Sequence, residues 1–202
     1  MPLNDAGRNA VGTSGKSGLP YLGALTALSG TEVTGGSYAR QSVTFGAMAA
    51  GIATNSGALS VPIPAGTTVV ALGLWDAVSA GNLLGVFPYG SAGQVIDGIA
   101  TVTAADVFTS TGHGLTTDDR VWFDQVFGET VPAGISTTTL YYVLASGLTA
   151  DAFKVSTASG GAALDVTAAG DCAWWRTVPN LFASAGNLTI AAGQLTFDMK
   201  VV

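Results

Sequence analysis

The chain has 202 residues, 28 glycines, one cysteine and a net charge of −6, with 10% of its residues charged against 48% hydrophobic. That balance argues against broad nucleic-acid binding, which needs a basic face to release counterions. The lone Cys172 excludes an internal disulfide, and no apolar run is long enough to insert in a bilayer. The start, Met1-Pro2-Leu3-Asn4-Asp5, has no basic stretch followed by an apolar one, so no secretory signal is expected.

Ala and Val dominate the hydrophobic share, and Thr, Ser and Gly are abundant throughout. Such a mix favours short strands and tight turns over a helical bundle. Charge this sparse points to a surface partly covered by neighbours. The imbalance also has a place. Nine acids and three bases fall between Val95 and Arg176, so that stretch carries the whole −6 and the remainder sums to zero. Two units of different character follow.

Residues 1–20 are rich in Gly, Ser and Asn and read as an irregular arm. Asn4 is placed to cap one or two helical turns through Val11. Strand signals begin near Tyr21. Tyr38 to Phe45 reads as a strand after a Gly35-Gly36 turn, and Ala58 to Ile63 as another, stopped by Pro64. Pro64-Ala65-Gly66 turns the chain into Thr67 to Trp75, apolar on both faces and so expected to be central. Asp76 to Gly81 is a loop and Asn82 to Tyr89 the next strand.

In the acidic stretch, Ile99 to Ser110, Arg120 to Val126, Thr138 to Leu144, Phe153 to Ser156, Ala163 to Thr167 and Cys172 to Thr177 read as short strands. Val121 with Phe123, Leu140 with Tyr142 and Leu144, and Phe153 with Val155 are expected to make a small core. Roughly 80 residues suffices for a self-standing, marginal β domain. Finally, Asn187 to Ile190 and Leu195 to Val202 flank Ala191-Ala192-Gly193-Gln194 as a hairpin, with strict alternation in its second arm. The expected organisation is therefore an N-terminal arm (1–20), an all-β outer domain (21–94 plus 178–202) and an inserted small β domain (95–177). The outer domain reads as a jelly-roll-like β-sandwich.

The residue types for catalysis are thin. His113, the single histidine, lies in a Gly112-His113-Gly114 turn, where positive φ or strand capping is its expected role. No nucleophile-elbow motif accompanies it. Asp118, Asp119 and Asp124 lack the spacing of a calcium loop and read as a solvated turn. The chain has two Glu, Glu32 and Glu129, and Ser159-Gly160-Gly161 precedes no helix that would cradle phosphate. We therefore expect no enzyme activity, no cofactor and no metal. Cys172 beside Ala173-Trp174-Trp175 reads as a buried strand thiol. Trp174 and Trp175 must face opposite sides of a strand. The candidate interface or packing residues are Tyr38, Arg40, Trp75, Trp122, Trp174 and Trp175, Arg40 being placed to bridge an acid at a subunit contact.

Two patches carry a resemblance. Glu32-Val33-Thr34-Gly35-Gly36-Ser37-Tyr38-Ala39-Arg40-Gln41 through Trp75-Asp76 resembles small virion proteins, tail or tail-fibre-like, of tailed phages that infect actinobacteria. Gly112-His113-Gly114-Leu115, Asp119-Arg120-Val121, Val131-Pro132-Ala133-Gly134-Ile135, Tyr141-Tyr142-Val143 and Phe153-Lys154-Val155-Ser156 are similar to a β module common in phage tail proteins. The resemblance implies a virion structural protein, assembled in the host cytoplasm, that self-associates as a homo-oligomer, a trimer first, and docks on tail or major capsid proteins. Two alternatives stand beside it: a capsid decoration protein, and a module that binds a host surface glycan through the insert.

Overall fold

The computed structural model describes Gly15, Ser17, Gly18 and residues 21–89, 97–103, 105–126 and 130–198. The expected helical turns at Asn4–Val11 and the last residues of the C-terminal strand lie outside the described residues. Gly15 and Ser17 are helical, and from Tyr21 onward every element among the described residues is a strand. The first seven are β1 (Tyr21–Leu25), β2 (Gln41–Ser42), β3 (Ile52–Thr54), β4 (Leu59–Ile63), β5 (Thr67–Val69), β6 (Ala71–Trp75) and β7 (Leu83–Pro88). Then come β8 (Gly98–Thr103), β9 (Val107–Thr109), β10 (Arg120–Asp124), β11 (Tyr141–Val143), β12 (Ala152–Phe153), β13 (Val155–Ser156) and β14 (Gly170–Thr177). The chain ends with β15 (Asn180–Phe182), β16 (Gly186–Ile190) and β17 (Thr196–Asp198). The protein is all-β. It packs as two units, Met1–Phe87 with Pro179–Val202, and Pro88–Val178.

In the outer unit, β2-β1-β6-β7 form one sheet, with β1 antiparallel to both β2 and β6. All five residues of β6 are buried, as expected of a central strand. The stretch Thr67–Trp75 is nevertheless two strands. At Val70 the ladder changes partners: Val70 N donates to Leu25 O, β5 before it pairs β15, and β6 after it pairs β1. Tyr38–Phe45 is likewise shorter than its alternation implies. Tyr38 N turns back to Gly35 O, only Gln41–Ser42 joins the sheet, and Phe45 makes a single bridge to Asn55. Gly35 and Gly36 hold φ of 88° and 58°, which makes this turn a glycine turn.

The C-terminal return pairs differently from the simple hairpin expected. The turn is present, with Gly193 at φ 80° and Gln194 N bonded to Ala191 O. Its two arms do not pair with each other: β16 lies on β4, and β17 on β3. Residues 180–198 thus run back antiparallel along residues 52–69, rung after rung. Burial explains the choice. Leu188 (1% exposed) and Leu195 (2%) reach the outer core with Val61 and Ile63, which partners across a tight hairpin alone would not supply.

Asn55 fixes this return. It is 1% exposed, its Nδ2 donates to Gly57 O and Ala191 O, and its Oδ1 accepts from Leu195 N at 2.8 Å. Its backbone adds bonds to Leu195 and Gly193. Asn55→Ala strands a buried amide and two carbonyls, each costing about 1–3 kcal/mol if left dry. We expect the outer unit to lose about 3 kcal/mol in urea unfolding while the transition of the second unit stays put.

The second unit is a sheet ordered β12-β9-β8-β14-β10-β11-β13, with each strand antiparallel to its neighbours. Its two end strands are one chain segment interrupted only at Lys154, whose carbonyl accepts from Leu144 N. The ladder therefore returns nearly to its start, a barrel that leaves little free edge. Phe108, Phe123, Phe153, Tyr141 and Trp174 fill the interior with Val102, Val121, Val143 and Val155. Chain entry and exit meet, since Val178 N donates to Tyr89 O at 2.8 Å.

Three expectations change here. Ile99–Ser110 is a hairpin, β8 and β9, turned by Asp106 at φ 61°, a turn with no Gly or Pro. Ala163–Thr167 is no strand, because Leu164, Val166 and Thr167 amides go to three separate acceptors: Val155 O, Asp106 Oδ1 and Ala133 O. Finally, Leu144 is buried as expected, but Tyr141 and Val143 face the core where Leu140 and Tyr142, only half-buried, were expected to. A one-residue slip in register had exchanged the faces. Tyr142 lies opposite Arg120, whose guanidinium sits 5.2 Å from its ring centroid.

Candidate functional site

Three of the sequence-selected residues come together in the outer unit. Arg40 grips Glu32 bidentately, Nε to Oε1 and Nη2 to Oε2, both at 2.7 Å. Its Nη1 donates to Ala77 O and Ala80 O, which ties down the loop after β6. Its Cζ lies 4.2 Å from the Trp75 ring centroid. Tyr38 OH donates to Glu32 Oε1 and accepts from Ala24 N. Trp75 lies across the paired Gly23 and Gly73, where added Cβ atoms would run into its ring. The acid expected across a subunit contact is therefore Glu32 of the same chain. The Arg40 side chain is 7% exposed, so this group packs the unit.

Burial pushes the Glu32 carboxyl up, but hydrogen bonds from Arg40 and Tyr38 and the Arg40 charge outweigh it and hold Glu32 below its ordinary 4.5. Burial and the bond to Glu32 push the Tyr38 hydroxyl well above its ordinary range. For a depressed acid, the stabilisation is complete above the ordinary value and is lost as pH falls through 4.5 and below. The outer unit should melt progressively earlier from about pH 5 to pH 3, and Glu32→Gln should flatten that slope while lowering stability at pH 7 by about 2 kcal/mol. Parallel melting curves for wild type and variant across that range would contradict this role.

The remaining tryptophans belong to the barrel. Trp122 and Trp175 are directly opposed on β10 and β14 and stack at 4.7 Å, and Trp122 Nε1 donates to Thr137 O. Trp174 points the other way, as alternation requires, and is 2% exposed in the core. Of the four tryptophans only Trp175 keeps appreciable exposure. A stacking platform built from Trp122 or Trp174 is thus ruled out by burial. Cys172 is a fully buried core thiol against Ala100 O, pushed up to about 12 by burial and then by the Asp171 charge. A thiol so held stays protonated and unreactive.

His113 is also structural. Its Nδ1 accepts from Leu115 N, its Nε2 faces Ala152 O at 3.4 Å, and its ring meets Phe153 edge-on at 5.0 Å. The positive φ belongs to its neighbours Gly112 (66°) and Gly114 (61°). The acid cluster is separately engaged: Asp118 Oδ1 with Ser159, Asp119 Oδ2 with Thr116 N and Arg176, and Asp124 Oδ1 with Gln125 N.

One end of the barrel opens into a cavity of about 640 Å³ lined by Asp97, Ile99, Ser110, Thr111, His113 and Arg176, with Trp174 at its floor. The inward alternation of β14 places Trp174 in the core and Arg176 at the rim. Little in the sequence marked this mouth, because its residues come from three separated segments. The signal available was the glycine pair around His113.

Residues 21–113 match the family model described as Podophage GP4 fiber I protein gp80. That stretch is phage-fibre-like. It covers 93 of the 202 residues, including β1 to β7, the β8–β9 hairpin and the glycine turn at His113. It contains the Glu32–Tyr38–Arg40–Trp75 group and stops before β10. No curated protein and no solved structure matches the chain.

Proposed function

We propose that this chain is a structural subunit of a tailed-phage virion, a minor tail or tail-fibre component of a phage of actinobacteria. It self-associates, as a trimer, and docks on the particle assembled in the host cytoplasm. The observation that carries the reading is the fibre-family match across residues 21–113. The outer unit supports it physically. Its edge strand β7, Leu83–Pro88, carries no charge, and natural free edges are commonly blunted by charge. Val78, Leu84 and Leu181 are 56%, 49% and 60% exposed, apolar area that a second copy would cover.

The test is copy number and position in purified particles, by quantitative mass spectrometry and imaging of labelled virions, with sedimentation of the purified chain. A few to a few dozen copies at the tail and a sedimenting trimer are expected. Hundreds of copies over the head would make it a capsid decoration protein instead. A chain that stays monomeric at micromolar concentration would remove self-association.

A further inference from the structure

We propose that the mouth of the barrel in Pro88–Val178 is a binding site for a neutral saccharide, a role beyond the structural one above. The interior beneath it is filled by Trp174 with Phe108 and Phe153, so the 640 Å³ at the rim is a half-open cup and not a channel. Mouths of β-barrels are favoured places for small ligands, and this volume falls within the usual range for them. Gly98, Gly112 and Gly114 contribute no side chains to the rim. At Gly98 a Cβ would sit 2.7 Å from Trp174 Nε1 and 3.0 Å from Ser110 Oγ, so the opening there depends on glycine.

The polar groups around the cup set the chemistry. Asp97 uses Oδ2 for Arg176 N, and Arg176 uses Nη2 for Gly114 O and Asp119. Among the described residues, Asp97 Oδ1, the Thr111 hydroxyl and Arg176 Nε and Nη1 have no partner. Ser110 Oγ accepts from Trp174 Nε1 and keeps its own proton to donate. The cup thus offers an acceptor, several donors and two hydroxyls that serve as either. Within the lining its carboxylate and guanidinium cancel in charge, while Asp119 on Arg176 and Asp151 at Gly112 N leave the surroundings acidic. Ile99, 39% exposed, adds an apolar ledge. Vicinal sugar hydroxyls need donors and acceptors in comparable number, planar charged groups meet them in pairs, and a pyranose ring has C–H faces that an aliphatic ledge covers. An anionic ligand would meet this excess of carboxylates and be disfavoured.

The Trp174 indole N–H, at the floor of the cup, is the reporter. The full chain, labelled with nitrogen-15, is titrated separately with glucose, galactose, mannose, rhamnose, arabinose and N-acetylglucosamine. The expected result is a saturable shift of that resonance with at least one sugar. Asp97→Asn, which keeps an acceptor for Arg176 N, should weaken it about tenfold or more. Thr111→Trp, an exposed position where a large side chain fills the mouth, should abolish it without altering the rest of the spectrum. No saturable shift with any of the six sugars, or a shift that survives Thr111→Trp, overturns the proposal. Neither outcome depends on where the protein sits in a particle.

Discussion

A chain ending at Val178 fails to fold its outer unit and keeps its barrel. The reason lies in the ladder partners: β3, β4 and β5 pair only with β17, β16 and β15 among the described residues. Removing 179–202 strips three ladders together and takes Leu188 and Leu195 out of the core. Burial of two leucines alone is worth about 3–6 kcal/mol. Losing the ladders and the Asn55 bonds adds to that, which overruns the 5–15 kcal/mol margin of an ordinary domain. The barrel strands β8 to β14 all precede the cut. Limited proteolysis should release fragments from residues 21–87 while 97–178 resists, and Trp75 should become solvent-exposed. Protection of residues 21–87 in the shortened chain would refute this.

The second large effect is Phe153→Ala. Phe153 is fully buried and its ring meets Phe108 at 5.3 Å, Trp174 at 6.0 Å, Phe123 at 6.5 Å and His113 at 5.0 Å. It also sits on β12, in the segment that brings the ladder back to its start. Truncating a buried Phe costs about 3–5 kcal/mol from transfer and cavity together. The aromatic contacts add about 1 kcal/mol. For a unit of this size, stability of about 0.05–0.15 kcal/mol per residue amounts to roughly 5–14 kcal/mol, so the loss removes from about a third to all of it. Urea unfolding followed through the barrel tryptophans should show the transition shifted to low denaturant or absent, with the outer unit unmoved. Phe153→Leu should recover most of the loss, since it restores apolar volume.

How much of this was legible beforehand differs from element to element. The all-β class followed from Thr, Ser, Gly and Val abundance, and β6 from a run apolar on both faces. The glycine turns at Gly35-Gly36, Gly66 and Gly193 were readable because only glycine adopts those backbone angles without strain. Pairing was not readable: period two specifies a face and not a partner, so the strands around Gly193 looked like a hairpin although each belongs elsewhere. The β8–β9 turn at Asp106 carries no Gly or Pro and left no mark. In the candidate residues, alternation correctly separated Trp174 from Trp175. The partner of Arg40 was not readable, because sequence shows a charge in a strand-like pattern, while its acid lies eight residues earlier across a turn. The barrel mouth was invisible for the same reason, being assembled from positions 97–99, 110–114 and 174–176.

The hydrogen bond from Val178 N to Tyr89 O brings the two ends of the barrel unit side by side. A segment that leaves and re-enters at neighbouring points is a cassette. Genetic exchange can replace it with another fold of similar end spacing, or with a short loop, and the host strands on either side need no change of register. Variation can then be confined to one removable piece, while the outer unit is inherited intact.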